Sequence, residues 1–155
     1  MVEDGPALCR FILRGHPADG FGMALPRMPR EVAQAGGRTA LWLGPDEWLL
    51  LAPPDQAVAI AEARAQADSL VEVSDAFVAL RLAGPHAARV LSAGCPLDLH
   101  PGAFPAGTAT RTLLGKAGVT LWRIGAEAWH LEVARSLAGY ARAFLAEAAR
   151  GLPEP

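Results

Sequence analysis

The sequence has 155 residues, of which 52% are hydrophobic and 19% are charged, and its formal net charge at pH 7 is -2. A chain of this length buries about two thirds of the surface that it exposes when unfolded, so the composition predicts a globular domain and excludes intrinsic disorder. The 14 basic residues are scattered among 16 acidic ones. Nucleic-acid binding is therefore not expected, because it needs a clustered basic surface.

The cysteines and the N-terminal residues predict a cytoplasmic protein. Cys9 and Cys95 lie far apart, and neither has a neighbouring cysteine or histidine at the spacing of a zinc site. The acidic N-terminus lacks the basic and apolar regions of a secretory signal, so we expect both thiols to be free and mostly buried. No apolar run approaches the roughly 18 residues that span a bilayer, so no membrane partner is expected.

The first part of the chain predicts two strands and then a looser stretch, at residues 8–13, 21–25 and 26–37. The segment 20–22, Gly-Phe-Gly, begins like the glycine fingerprint of a dinucleotide-binding loop. Leu25, however, stands where the third small residue of that fingerprint should be. We therefore interpret the two glycines as turn residues.

The strongest organisational signal is an internal repeat of a hairpin followed by a helix. Its two copies cover about residues 38–66 and 118–149, and each copy contains two of the four tryptophans. In each copy two apolar runs around a turn, at residues 44–47 and 125–127, predict the hairpin, and an alanine-rich stretch predicts the helix. The prediction is a single pseudo-duplicated domain over residues 1–155.

The region between the two copies predicts two strands, a short helix and a further strand, at residues 71–73, 78–82, 85–94 and 108–114. Pro85 at the first position of this helix and Gly94 just past its end match the usual preferences of helix ends. Because the strands come in adjacent pairs, the sequence predicts an α+β fold, with a mainly antiparallel sheet and helices packed on it.

The polar residues form neither a catalytic motif nor a metal-ligand spacing. Ser74 and Asp75 could supply a nucleophile or an acid, but such a pair more often forms a turn. His130 is predicted to lie beside Glu132 on the strand face opposite to Trp129. No histidine pairs with another ligand at helical spacing, which holds for all four: His16, His86, His100 and His130. We therefore assign no catalytic, cofactor-binding or metal-binding residue.

A proline-rich loop over residues 95–105 contains three large apolar side chains, Leu97, Leu99 and Phe104. These side chains either fold back onto the core or form an exposed patch for a partner. Both alternatives remain open from the sequence. Under the second, the three residues form a candidate partner interface.

Two runs of residues are specific in combination, Leu43-Gly44-Pro45-Asp46-Glu47-Trp48 and Gly94-Cys95-Pro96-Leu97-Asp98-Leu99. Weaker runs are Val73-Ser74-Asp75, Leu82-Ala83-Gly84-Pro85, Phe104-Pro105-Ala106-Gly107 and Val133-Ala134-Arg135-Ser136. Together these runs, which extend from about residue 40 to the C-terminus, resemble the gamma subunit family of heterotetrameric sarcosine oxidase.

The resemblance implies a fold similar to the folate-binding domain of glycine-cleavage aminomethyltransferases, which is α+β and built from two related halves. It also implies a complex with alpha, beta and delta subunits, in which the chain contacts mainly alpha. In such a complex the other subunits hold FAD, FMN, NAD and tetrahydrofolate. The complex oxidises sarcosine to glycine and produces hydrogen peroxide.

The chain departs from its folate-dependent relatives at two places where these carry polar residues. The hairpin at residues 118–121 has no acid, and the strand that ends at Val133 and Ala134 has no asparagine. The resemblance with these departures predicts a non-catalytic subunit, without a cofactor of its own, that docks on the folate-type domain of a larger subunit. The alternative is a stand-alone tetrahydrofolate-binding or folate-dependent methyl-transfer protein, with Asp75 or Asp98 as the acid.

Overall fold

The computed structural model describes residues 2–15 and 19–152, so His16 lies outside the described residues. The chain forms two compact units, which we call the N-terminal unit (residues 7–75) and the C-terminal unit (residues 2–6 and 76–152). Each unit contains one five-stranded sheet, and all described strand pairs are antiparallel. The predicted α+β fold with mainly antiparallel strand pairing is confirmed, but the strands form two five-stranded sheets and a short two-stranded one where one sheet was predicted.

The strands are, in chain order, β1 (Val2–Asp4), β2 (Cys9–Arg14), β3 (Asp19–Gly20), β4 (Met23–Ala24), β5 (Val32–Ala35), β6 (Arg38–Gly44), β7 (Glu47–Ala52), β8 (Ser69–Glu72), β9 (Phe77–Ala83), β10 (Ala109–Leu114), β11 (Ala117–Gly125) and β12 (Ala128–Ala134). The helices are α1 (Ala57–Glu62), α2 (Ala87–Ser92) and α3 (Ala138–Ala149). Short 3-10 turns cover Pro54–Gln56, Ala63–Gln66 and Arg135–Leu137.

The sheet of the N-terminal unit has the strand order β5-β6-β7-β2-β8. Successive side chains of a strand point to opposite faces, and on one face Phe11, Trp48 and Leu50 join Ile60 of α1 in a hydrophobic core. The indole Nε1 of Trp48 donates a hydrogen bond of 2.7 Å to the carbonyl oxygen of Pro26. This bond fixes the irregular segment after β4 to the core.

The strand predicted at residues 21–25 is wrong, because Phe21 and Gly22 form the turn of a hairpin between β3 and β4. Their φ angles of 59° and 81° are the left-handed values that a two-residue type I′ turn requires. Phe21 is held in this conformation by its buried ring and by its backbone N–H, which donates to Gln66 Oε1 at 3.0 Å. The interpretation of segment 20–22 as a turn is thereby confirmed.

Two further differences from the prediction concern short or weakly anchored elements. β5 lies in the stretch expected to be loose. Its four residues at the edge of a sheet are too few to show the alternation of apolar and polar side chains that predicts a strand. The helix predicted up to residue 66 consists of a 3-10 turn, α1 and a second 3-10 turn. Only Ile60 is buried in this region, so packing does not enforce one continuous helix.

The sheet of the C-terminal unit has the strand order β1-β9-β12-β11-β10. Its core face is covered by α2 and α3, and the alternating residues of β9, β11 and β12 supply most of the sheet's contribution to the core. The fully buried members include Leu80, Leu121, Trp129 and Leu131, with Leu145 from α3. This face is therefore the hydrophobic side on which the unit is built.

The β6–β7 and β11–β12 hairpins are each followed by helical segments. They place their tryptophans differently. Trp42 and Trp48 stand opposite each other in register and pack on the same core, whereas Trp122 stands opposite His130, on the face opposite to Trp129. The relation of the two segments by duplication stays a prediction.

Three elements of the C-terminal unit meet closely at the turn between β10 and β11. The backbone N–H of Gly115 donates to the carbonyl oxygen of Gly94 at 2.9 Å, and the N–H of Lys116 donates to Tyr140 Oη of α3 at 3.0 Å. A β-carbon at Gly94 would lie 2.5 Å from the ring of Phe144 and 2.7 Å from the Gly115 nitrogen. Position 94 therefore has no room for a side chain.

Replacing Gly94 with alanine is expected to lower the free energy of unfolding by about 1–3 kcal/mol, because the added methyl group forces the backbone apart. Gly118→Ala is the matched control, since no atom lies within 4 Å of the position of its β-carbon. Urea unfolding of both variants and the wild type measures the difference. Equal losses in the two variants would contradict a tight junction at Gly94.

Candidate functional site

A cavity of about 460 Å³ opens on the C-terminal unit. Its wall is formed by the turn before α2, by α2 itself, by the segment 97–101 and by the β11–β12 hairpin. Four charged side chains line it, two cationic and two anionic: Arg89, Arg123, Asp98 and Glu127. The cavity contains part of the loop that the sequence singled out, and we treat it as the candidate functional site.

Local hydrogen bonds around Asp98 and His100 shape the segment 97–101. Asp98 Oδ1 accepts from the backbone N–H of His100 at 2.9 Å, and His100 Nδ1 accepts from the backbone N–H of Gly102 at 3.1 Å. Such side-chain-to-backbone bonds fix tight turns. One oxygen of Asp98 and one nitrogen of His100 are therefore engaged in building the loop.

Arg123 is the central side chain of the cavity wall and is only 4% exposed. Its guanidinium donates to four carbonyl oxygens, those of Leu99 (3.4 Å), Phe104 (2.8 Å), Gly125 (3.2 Å) and Ala126 (2.5 Å). The guanidinium carbon also lies 4.9 Å from the ring centroid of Trp129, within the range of a cation–π interaction. One side chain thus fastens the loop after α2 to the turn of the last hairpin.

Arg123 is not among the site residues predicted from the sequence, although the pattern of its strand contains a signal. Arg123 lies on the same face of β11 as Val119 and Leu121, which both belong to the core. A charge at a core-facing position needs hydrogen-bonding partners, because an unpaired buried charge is strongly destabilising. Within residues 2–15 and 19–152, no carboxylate lies within ion-pair distance of Arg123, so carbonyl oxygens take that role.

The structure separates the three residues of the predicted partner interface. Leu99 and Phe104 are 4% and 1% exposed and belong to the core of the C-terminal unit, where Phe104 stacks on Trp129 at 5.7 Å between ring centroids. Leu97 is half-buried in the cavity wall. Leu99 and Phe104 therefore follow the core alternative, and a partner contact at this loop, which stays a prediction, would rest on Leu97.

Replacing Arg123 with glutamine is expected to lower the free energy of unfolding by about 2–4 kcal/mol, because buried carbonyl oxygens lose charged donors. Arg123→Lys should lose nearly as much, since an ammonium group cannot reproduce the planar fork. Exposed Arg89 lines the same cavity, and Arg89→Gln should stay within about 0.5 kcal/mol of the wild type. The measurement is urea unfolding, and wild-type stability of Arg123→Gln would disprove the role of Arg123.

A second polar group lies on the opposite face of the same sheet. His130 and Glu132 of β12 are both buried, and His130 Nε2 is 2.7 Å from Glu132 Oε1. The tautomer of the imidazole ring decides which of these two atoms donates the hydrogen bond. The other ring nitrogen, Nδ1, is buried and has no hydrogen-bond partner in the described part of the chain.

His130 is the middle member of a row across three strands. Arg81 of β9 and Trp122 of β11 stand opposite it in register, and the rings of Trp122 and His130 are 5.7 Å apart. Arg81 Nε and Trp122 Nε1 are also buried and without a hydrogen-bond partner among the described residues. We call these three atoms, Arg81 Nε, His130 Nδ1 and Trp122 Nε1, the nitrogen row.

The remaining polar residues considered in the sequence have structural contacts. Ser74 Oγ accepts from the backbone N–H of Arg10 at 2.9 Å and donates to Glu72 Oε1 at 2.8 Å. His86 directly precedes α2 as its N-cap residue. In the described part of the chain, no three His, Cys, Asp or Glu side chains are grouped so that they could hold a metal ion. No described helix is long and apolar enough to cross a membrane.

Cys9 and Cys95 are free and buried. Cys9 Sγ donates a hydrogen bond of 3.3 Å to the carbonyl oxygen of Pro53. Burial raises the pKa of the Cys9 thiol above its usual range. Because the thiolate is the reactive form, a raised pKa shifts reactivity to higher pH.

Alkylation of Cys9 by iodoacetamide at about pH 8 is expected to be slower in the folded protein than in urea, because the thiol is buried and its raised pKa lowers the fraction of reactive thiolate. The Cys95→Ala variant isolates the Cys9 signal in mass spectrometry. The folded rate should rise as the pH is increased. Equal rates in the folded and unfolded protein would contradict a buried thiol of raised pKa.

The amino-acid sequence of this chain is similar to those of known proteins. The profile of a family described as "Sarcosine oxidase, gamma subunit family" matches residues 10–151. The sarcosine oxidase subunit gamma of an Arthrobacter species is 40% identical over 123 residues, which are 76% of this chain and 61% of that protein. Its counterpart from Corynebacterium strain P-1 is 39% identical over 118 residues, or 74% and 58% of the two chains. The chain thus spans about three fifths of the length of these relatives.

Two solved structures share the fold. Heterotetrameric sarcosine oxidase from Corynebacterium sp. U-96, in complex with pyrrole 2-carboxylate, contains a chain that matches with a TM-score of 0.86 and 31% identity, over 95% of this chain and 82% of that one. The glycine cleavage system aminomethyltransferase T from Bartonella henselae matches with a TM-score of 0.66 and 15% identity, over 93% and 44% of the two chains. The predicted likeness to aminomethyltransferases is confirmed as a likeness of fold.

Proposed function

The chain belongs to the sarcosine oxidase gamma subunit family, and from this membership we propose that it is the non-catalytic gamma subunit of a heterotetrameric sarcosine oxidase. In this proposal the complex oxidatively demethylates sarcosine to glycine, and FAD, FMN, NAD and tetrahydrofolate are held by other subunits. The observation that carries the proposal is the family match over residues 10–151. The free cysteines are consistent with a cytoplasmic complex.

In this chain, the positions at which folate-dependent relatives carry polar residues are not suited to binding a pterin. Val119 and Val133 are buried in the core of the C-terminal unit, and Thr120 between them in the hairpin is also buried. Holding or deprotonating a pterin amine needs a carboxylate or an amide, which these side chains lack. This supports a subunit that leaves folate chemistry to a partner.

The chemistry of the cavity also supports a binding role rather than catalysis. The guanidinium of Arg123 is engaged by carbonyl oxygens, and Asp98 accepts a backbone hydrogen bond within its own turn. These groups maintain the shape of the wall. A shaped, partly apolar concavity on a rigid sheet is the kind of surface into which a partner can insert a side chain.

We place the contact with the alpha subunit, at its folate-type domain, on the cavity rim around Leu97. Leu97 is half-buried between exposed Pro96 and Asp98, so its remaining apolar surface is available to a partner. The neighbouring Arg89 and Glu127 supply charges of both signs at the same rim. An apolar centre with a polar surround is typical of protein interfaces.

Co-expression with the alpha, beta and delta subunits should give one stoichiometric peak in size-exclusion chromatography with light scattering. The purified complex should oxidise sarcosine and release hydrogen peroxide. A chain that elutes alone in the presence of all three subunits would contradict the proposal. Calorimetry of the isolated chain with tetrahydrofolate is the second arm, and binding at about millimolar ligand would favour the stand-alone folate protein instead.

Leu97→Glu is expected to weaken the complex with the alpha subunit by at least about tenfold, because it puts a charge into an apolar contact. Val58→Glu is the matched control, since Val58 is 68% exposed in the N-terminal unit. Biolayer interferometry with immobilised alpha subunit gives the dissociation constants, and circular dichroism confirms that each variant is folded. Equal affinities of a folded Leu97→Glu variant and the wild type would remove the rim from the interface.

A further inference from the structure

The sheet of the C-terminal unit ends at β10, and no other described strand pairs with the outer edge of β10. β10 has six residues, whereas the other strands that end a sheet, β1, β3, β4, β5 and β8, have two to four. Native proteins usually keep edge strands short or block them with proline or lysine, because an open edge is a template for a further strand. β10 contains neither proline nor lysine. Among the described strands it is therefore the one best suited to accept a strand from another protein.

The register of the β10–β11 hairpin decides which backbone groups of β10 reach this open edge. Leu114 and Ala117 flank the two-residue turn and stand opposite each other, the position of a hydrogen-bonded pair in such a hairpin. Hydrogen-bonded and non-hydrogen-bonded pairs alternate along an antiparallel ladder. The backbone groups of residues 110, 112 and 114 therefore point to β11. Those of residues 109, 111 and 113 point away from β11, toward the open edge.

Leu113 and Arg111 supply the exposed side chains of this edge. Leu113 is 49% exposed, and Arg111, two residues before it on the same face of the strand, is exposed as well. This face is opposite to the one on which Leu114 joins the core. Residues that stand directly opposite each other on neighbouring strands interact through their side chains. The edge therefore favours a strand that carries an apolar residue opposite Leu113 and a carboxylate opposite Arg111.

The charge of Arg111 disfavours a second copy of this chain as the added strand. In an antiparallel pair the hydrogen-bonded residues of both strands stand opposite each other, so self-pairing joins residues 109, 111 and 113 of one copy to the same set in the other. The register that uses all three residues places the two Arg111 side chains directly opposite each other. Like charges in that position are destabilising. A strand with aspartate or glutamate there forms an opposite-charge pair instead.

We propose that β10 accepts an extended, acidic segment of another subunit of the complex as an added antiparallel strand. The inference rests on the proposed function, because that function supplies the donor of the strand. The carbonyl oxygen of Arg111 accepts a long bond of 3.4 Å from Thr110 Oγ1, so the pairing rests on the N–H and the carbonyl oxygen of Leu113. In strand addition, main-chain hydrogen bonds supply affinity and the side-chain pairs supply specificity. The contact does not use the cavity, because no residue of β10 lines it.

Hydrogen–deuterium exchange tests the pairing at the level of single amides. The isolated chain is compared with the chain in complex with the alpha, beta and delta subunits, and fragmentation in the mass spectrometer resolves neighbouring amides. The amide of Leu113 should exchange at least about fivefold more slowly in the complex, because its N–H gains a main-chain acceptor. The amide of Thr112 is the control, since it points to β11 in both states.

Leu113→Pro removes the outward N–H and spares the bonds to β11, because an edge strand tolerates proline where the N–H faces away from the sheet. It should weaken binding to an immobilised assembly of the alpha, beta and delta subunits at least about fivefold, since an acceptor of the partner loses its donor. The matched control Leu113→Ile keeps the N–H and an apolar side chain and should bind like the wild type. Arg111→Glu, at an exposed position, should weaken binding at least about threefold through like charge.

Circular dichroism establishes that each variant is folded, and if Leu113→Pro is not, the exchange of Leu113 and the affinity of Arg111→Glu decide. No added protection of Leu113 in an intact complex, or wild-type affinity of a folded Leu113→Pro variant, would overturn the strand pairing and leave the proposed function standing. Wild-type affinity of Arg111→Glu would overturn the acidic partner. Protection of Leu113 that grows with the concentration of the isolated chain would identify a second copy instead. A wild-type chain that binds none of the subunits would overturn the proposed function as well.

Discussion

A buried guanidinium surrounded by carbonyl oxygens is the interaction on which the candidate functional site of the C-terminal unit depends. The loop after α2 and the turn of the last hairpin both present acceptors, at Phe104 and at Gly125 for example, and two acceptors cannot bond to each other. Arg123 resolves this by donating to both from a strand 19 residues away from Phe104. The shape of the cavity wall therefore depends on one strand residue as well as on the hydrogen bonds within the loop.

Regular elements that begin or end at a proline or a glycine could be predicted from the sequence. Pro85 and Gly94 marked the limits of the helix near α2, and Gly44 and Gly125 marked the turns of both hairpins. The prediction failed where local contacts impose a backbone conformation that the residue type does not favour. Phe21 adopts a left-handed φ because its buried ring and a hydrogen bond from its backbone N–H hold it in that conformation. Phenylalanine rarely adopts a positive φ, so the residue type does not predict this turn.

The candidate site was less accessible to sequence reasoning than the fold. A loop has no periodicity, so nothing in residues 95–105 could decide between a core and a surface position for Leu99. The nitrogen row needs the register of three strands, which a single strand pattern does not contain. His130 could be placed beside Glu132 by alternation, but its neighbours Arg81 and Trp122 come from strands far along the chain.

The run at residues 94–99, which carried much of the family resemblance, now has a physical explanation. Gly94 allows the close approach to the β10–β11 turn, Asp98 closes a turn on His100, and Leu99 fills the core. These three residue types are explained by packing or backbone geometry. Such a run therefore identifies the architecture, and only its exposed positions can identify partners.

The β10–β11 turn contains Lys116, the single lysine of the sequence. This residue is exposed, and its backbone N–H donates a hydrogen bond to Tyr140. The chain thus has one side-chain amine, at a rigid corner of known position. A lysine-directed cross-linker of fixed length would act as a ruler from that corner, and whichever subunit it captured would be the one that lies against it.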